Sequence, residues 1–141
     1  NKPLYFDKDD SIQNITDNSI IIGNRFNRND TLQRLVMSKL FLLLHRILFY
    51  SNVKDPSCPY ILCEAKLSKK LNPYLKYMVE GFWWGFIAIC LKKNIAINQI
   101  KINHKRRVSG DTNVFHLKKI PSIAIKNIIG LIKIRYIKII Y

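Results

Sequence analysis

Apolar residues along this chain recur at two different spacings, and the switches between them mark out its elements. The first 18 residues are polar and acidic, with a short helix expected over 11–15 capped by Asp10 or Ser11. Ser19-Ile20-Ile21-Ile22 is a β-branched run that reads as a buried strand ended by Gly23. Residues 31–50 carry apolar side chains at helical spacing (Leu32, Leu35, Val36, Leu40, Leu43, Leu44, Ile47, Leu48), with Asp30 or Thr31 available as cap. A loop follows over 51–59, where Asp55-Pro56-Ser57-Cys58-Pro59 supplies turn chemistry. A short extended piece is expected over 60–63, then a short helix over 65–71 that stops before Pro73. Residues 75–93 hold Met78, Phe82, Trp83, Trp84, Phe86, Ile87, Ile89 and Leu91, a second long helix or a turn entering one, with Lys92-Lys93-Asn94 as its stop. Residues 95–103 read as a strand with an irregularity, because the apolar phase changes between Ile97 and Ile100. From 116 onward Ile120, Ile123, Ala124, Ile128 and Leu131 return to helical spacing with lysines between and Pro121 near the start. Residues 135–141 alternate charged and apolar positions and fit strand or helix. This succession of strands and helices predicts an α/β chain.

Charge adds a partner class. The 24 Lys+Arg against 9 Asp+Glu give a net +15, and no acid follows Asp111. Such a surface attracts polyanions, although the richness in Ile, Lys and Asn that AT-biased codon use favours accounts for part of the excess. The helix after residue 116 is basic and amphipathic, suited to an anionic membrane or to packing on the domain. A nucleic-acid module needs exposed aromatics among its cations. Phe82, Trp83, Trp84 and Phe86 lie in the least basic part of the chain, so no nucleic-acid partner is expected. Cys58, Cys63 and Cys90 show no paired spacing, and His45, His104 and His116 are scattered, which argues against a disulfide framework or a zinc site. With no signal peptide evident, the expected compartment is the reducing cytosol.

Candidate chemistry gathers at three places. After the strand through Ile100 and Ile102 come His104, Lys105, Arg106 and Arg107, then a small turn with Gly110 and Thr112. Arginine presents a planar fork of donors that matches phosphate oxygens, and glycine adopts backbone angles other residues avoid, so this stretch suits a loop closing on a phosphate. Arg34 and Ser38, four apart, share one helix face near a helix N-terminus that itself favours an anion, close to the strand end carrying Arg25. Glu80 is the only acid between Glu64 and Asp111 and sits beside the aromatic cluster, as a surface carboxylate or an acid tuned for acceptor chemistry.

Taken in order, Ile20-Ile-Ile-Gly-Asn-Arg25, Arg28-Asn-Asp30, Arg34 and Ser38 in a long helix, Asp55, and His104-Lys-Arg-Arg-Val-Ser-Gly-Asp-Thr112 resemble the family 2 glycosyltransferases. The order is similar specifically to the branch of dolichol- and polyprenyl-phosphate mannose synthases and their bacterial relatives, from about Phe6 to about Arg135. The resemblance implies a partial GT-A domain, a Rossmann-like arrangement with helices packed on a mixed sheet. It would transfer a sugar, with inversion, from a nucleotide-sugar donor to a polyprenyl-phosphate or other lipid-linked acceptor. It further implies that Arg107, Gly110, Thr112 and Arg25 hold the donor diphosphate, that Arg34, Ser38 and Arg25 hold the acceptor phosphate, and that Arg107, Glu80 and Asp55 form the catalytic set. Mg²⁺ or Mn²⁺ is the implied cofactor, bound by an Asp-x-Asp motif. Asp7-Lys8-Asp9 has the letters but lies too close to Gly23 and has no hydrophobic strand before it. The expectation is therefore a C-terminal portion, inactive alone, whose metal ligands lie upstream.

Within that frame residues 1–115 belong to the transferase domain and 116–141 form a basic segment that lies on the membrane or packs on the domain. The protein would sit peripherally on the cytoplasmic face of an anionic membrane. The chain departs from the family at Pro59-Tyr60-Ile61, where a Gly-Phe followed by Arg or Lys is usual. A different reading is a noncatalytic basic module that binds anionic membrane or nucleic acid.

Overall fold

The computed structural model describes residues 18–26, 32–103 and 120–140, without the side chains of Gln33, Arg34 and Ile120. Its elements are strand β1 (Ser19–Phe26), helix α1 (Leu32–Phe49), strand β2 (Ile61–Cys63), helix α2 (Ala65–Leu71), a 3-10 turn over Asn72–Tyr77, helix α3 (Phe82–Lys92), strand β3 (Ala96–Asn103) and helix α4 (Ile120–Tyr136). The sheet is mixed, in the order β2-β1-β3, with β2 antiparallel and β3 parallel to the central β1. Four helices and a three-stranded mixed sheet make this an α/β structure.

β1 does not end at Gly23. It runs on to Phe26 and stays paired with β3 from Ser19↔Ala96 to Phe26↔Asn103. Gly23 is required by close approach instead: a Cβ there would lie 2.6 Å from Ile102 Cδ1 and 2.9 Å from Cys58 Sγ. The Gly23 amide also donates to the Tyr60 carbonyl at 3.0 Å, so a bare backbone joins the strand to the loop before β2.

Nor does β3 contain the expected bulge, since its register with β1 is one-to-one throughout. Side chains alternate along a strand and registered neighbours share a face. Ile97 therefore lies on the face of Ile20 and Ile22, in the main core, while Ile100 and Ile102 lie on the face of Ile21 and Gly23. The change of apolar phase records a strand that serves both faces of the sheet.

The core combines Ile20 and Ile22 of β1 with Phe86, Ile87 and Ile89 of α3 and Leu131 and Ile134 of α4. α3 is so apolar because Gly85 through Cys90 are all buried. It begins after Gly81, whose φ of +65° is open to glycine, and ends at Asn94 in the same left-handed region. α4 packs against α3 and, at Gly130, against the segment before it, where a Cβ would stand 2.5 Å from the Tyr77 carbonyl oxygen and 3.0 Å from Met78 Sδ. Gly85 meets the same methionine from α3, its Cβ position being 2.5 Å from Met78 Cγ. Lys92 then closes the end of α4, donating from Nζ to the carbonyls of Ile134 and Arg135 at 2.8 Å each and also to that of Ile137. Residues 137–140 are irregular and are held by Lys93 Nζ on the Ile139 carbonyl (2.9 Å) and by Tyr74 on Ile140. No helix of the described residues is long and apolar enough to cross a membrane.

α1 buries only part of the apolar face that its spacing marks out. Leu32, Val36, Leu40, Leu43 and Ile47 of that face are exposed. The helix packs inward through Phe41, His45, Leu48 and Phe49, with the Phe41 ring 4.1 Å from that of Trp84 on α3. His45 is wholly buried, between Phe41 and Phe49 at ring separations of 6.0 and 5.1 Å. Neither of its nitrogens makes a hydrogen bond of normal geometry, although the Trp84 backbone is near. Burial lowers its pKa to about 4, against a smaller raising pull from that backbone.

This histidine makes stability depend on pH with a defined sign. Above about pH 6.5 the ring is neutral whether folded or unfolded, and the stability it permits is fully present. Between there and about pH 4 the unfolded chain takes up a proton that the folded one refuses, so stability falls as pH falls. From pH 7.5 to pH 5 we expect wild type to lose about 2 kcal/mol more than His45→Leu, measured by urea unfolding at each pH. Parallel losses in the two proteins would show that His45 is not the titrating group.

Candidate functional site

The C-terminal half of β1 leads to a pair of charges. Arg25, at 13% side-chain exposure, meets Asp55 of the loop after α1, at 7%. The contact is two-pronged: Nε donates to Oδ2 at 2.6 Å and Nη2 to Oδ1 at 2.9 Å. Planar fork against planar carboxylate is a geometry that lysine cannot reproduce. The Arg25 amide adds a long contact of 3.4 Å to the same carboxylate.

Ser57 extends the network. It accepts from Arg25 Nη2 at 2.7 Å and donates to Asp55 Oδ1 at 2.8 Å. Its hydroxyl also lies 3.4 Å from that of Ser38 on α1, at the outer limit of a hydrogen bond. The loop holds Ser57 in place by its own turn, in which the Cys58 amide donates to the Asp55 carbonyl at 3.1 Å. Just upstream, the Lys54 amide donates to Gln99 Oε1 of β3 at 2.8 Å. Strand end, helix and loop thus converge on one guanidinium.

Beside it opens a cavity of about 180 Å³ lined by Asn24, Arg25, Leu35, Ser38, Lys39, Leu42, Lys54, Asp55 and Pro56. Three cationic side chains face it against one carboxylate, with Leu35 and Leu42 as an apolar wall. The volume is below the roughly 300–1,000 Å³ usual for drug-sized ligands, so it suits a single small anionic group better than a whole nucleotide. Among the described residues of that lining, Ser38 carries the only hydroxyl.

Of the residues singled out from sequence, Arg25, Ser38 and Asp55 are brought together here. Arg34 belongs to α1, and its side chain lies outside the described residues, as do Arg107, Gly110 and Thr112. Glu80 is half-buried in the turn before α3 and is not part of the cavity lining. Sequence reasoning passed over Ser57, Lys39 and Lys54. The signal for Ser57 was present: a hydroxyl two residues after an aspartate is a recurrent turn partner, and a fixed Asp55 has to be held by something. Among the described residues no three His, Cys, Asp or Glu side chains gather as a metal group.

Because the Arg25–Asp55 pair is largely buried, removing one charge strands the other. Asp55→Asn is expected to cost about 3 kcal/mol of folding stability. Ser57→Ala, which removes a neutral partner, should cost about 1 kcal/mol. Chemical denaturation of both variants measures the difference; equal costs would mean that the ion pair does not anchor the loop.

No protein-family model matches this chain, and no curated protein or solved structure is significantly similar to it, so a functional reading rests on this geometry and on the motif order.

Proposed function

We propose that this chain is the acceptor-side portion of a GT-A glycosyltransferase of family 2 type, acting on a polyprenyl-phosphate or similar lipid-linked acceptor. The observation that carries the reading is the cavity at the end of β1, where Asp55 orients Arg25 beside Ser38, Lys39 and Lys54. A guanidinium fixed by a carboxylate is held in place beside the cavity and keeps a defined orientation there. The cavity's size favours one phosphate group, which fits the acceptor role of Arg25 and Ser38.

The sheet supports the Rossmann-like part of the reading. β1 and β3 are parallel and end together, with Phe26 opposite Asn103. Ligands of open α/β sheets bind outside the carboxyl ends of such strands. Arg107, Gly110 and Thr112 are assigned to the donor diphosphate on the motif resemblance, and Glu80 keeps its assignment to acceptor chemistry on the same ground.

In the reaction an acceptor phosphate oxygen attacks the anomeric carbon of the donor sugar. The bond from that carbon to the donor diphosphate breaks, the nucleotide diphosphate leaves with the electron pair, and configuration inverts. Arg25 and Ser38 orient the attacking phosphate and lower the penalty of bringing two anions together. Asp55 acts on Arg25 as a positioning residue. A bound Mg²⁺ or Mn²⁺ ion supplies charge neutralisation at a leaving diphosphate. The described residues do not form its site, since Asp55 is already engaged by Arg25 and Ser57. The basic surface suits a peripheral position on the cytoplasmic face of an anionic membrane.

Calorimetric titration with a short polyprenyl phosphate in neutral detergent micelles tests the reading. The phosphate should bind at least tenfold more tightly than the matching polyprenol. Arg25→Lys should weaken it by about tenfold or more, the effect of losing a charged hydrogen bond. Equal binding of alcohol and phosphate would remove the acceptor assignment.

A further inference from the structure

The outer face of α1 carries an apolar row along its whole length. Leu32, Val36, Leu40, Leu43 and Ile47 recur every three or four residues and continue into Tyr50. They are well exposed, from 48% at Val36 to 83% at Tyr50. At 18 residues the helix is about 27 Å long, so the row is a continuous strip and not a scatter of single side chains. α4 repeats the pattern: Ile125, Ile129, Ile132 and Tyr136 are exposed on the side away from buried Asn127, Leu131 and Ile134. The two helices come together where the Arg135 guanidinium lies 5.5 Å from the Tyr50 ring centroid.

Charge says what covers this face. Neither helix contains an acidic residue. On α1, helical geometry puts Lys39 and Arg46 along one border of the strip, between it and the side carrying Leu35, Ser38 and Leu42. On α4, Lys126 and Lys133 border the row on one side and Arg135 on the other. A protein interface of this length would be expected to have mixed charge at its rim. Apolar rows whose charged neighbours on both helices are all cations fit the boundary between acyl chains and anionic headgroups.

We propose that the exposed rows of α1 and α4 form one surface that lies on an anionic lipid bilayer, with α1 as its principal element. The choice of a bilayer rests on the lipid-acceptor reading above and extends it to named residues. The geometry joins the surface to the site, because α1 carries the strip on its outer side and Leu35, Ser38, Lys39 and Leu42 of the cavity on the adjoining side. A lipid phosphate at headgroup depth thereby reaches the Arg25 cavity along one helix, without leaving the interface.

Flotation with vesicles of phosphatidylcholine alone and with 30% phosphatidylglycerol (an amount of about a third, near the anionic content that polybasic surfaces recognise) tests this on the chain as it stands. The double variant Leu40→Gln/Leu43→Gln removes apolar contact from two exposed positions and leaves the net charge unchanged. Wild type should float with the anionic vesicles, and the double variant at least tenfold less. Ile129→Gln should show a smaller loss in the same direction. Wild-type binding by the double variant would overturn the proposal, as would no binding by wild type. So would a dimer in sedimentation that the double variant dissolves, because the strip would then be covered by a second copy. These vesicles contain no polyprenyl phosphate, and the micelle titration contains no bilayer. A failure of the docking surface is therefore distinct from a failure of the acceptor site.

Discussion

Everything in this fold is hung on a strand buried from both sides. β1 is paired with β3 along its length and with β2 over Ile20–Ile22, and Ser19 to Gly23 are buried, so each of those positions answers to a neighbour. Ile20 and Ile22 are fixed by the helix core, Ile21 and Gly23 by the opposite face, and Gly23 has no room for a side chain. A slip of one residue would move three isoleucines to the wrong face and drive a Cβ into Ile102 and Cys58. That constraint sets the height at which Arg25 emerges.

The ion pair then turns a structural constraint into a chemical one. Asp55 sits in a loop tied to Gln99 of β3 through Lys54 and to β1 through Arg25 itself. The same carboxylate fixes the loop and aims the guanidinium. Its cost in desolvation is offset by the two-pronged geometry and by the Ser57 hydroxyl. Arg25 is therefore a fixed donor, in contrast to the exposed Lys39 and Lys54, which contribute field but little direction.

Much of this was legible in the residues. The buried β-branched run, the long helix after it, the Asp-Pro-Ser turn and the aromatic helix were all marked by local spacing, and local spacing is what sequence carries. The nearness of Arg25, Ser38 and Asp55 was visible only through motif order, because it depends on β1 running three residues beyond Gly23. Two misreadings share one cause. Periodicity reports that a face is apolar and says nothing of what lies against it. Ile100 and Ile102 looked out of phase because β3 serves two faces, and the apolar face of α1 did not divide into a covered and an uncovered part because both have the same pattern. Ser57 escaped notice because a hydroxyl in a turn resembles any other until its partner is known.

Met78 occupies a gap cut by two glycines, Gly85 from α3 and Gly130 from α4. With no side chains to act as spacers, both helix backbones approach one thioether side chain, and Lys92 joins α3 to the end of α4. The consequence is a limit on what either position can hold. A β-carbon at Gly85 would have to displace Met78, and one at Gly130 would run into the Tyr77 carbonyl, which as backbone cannot swing aside.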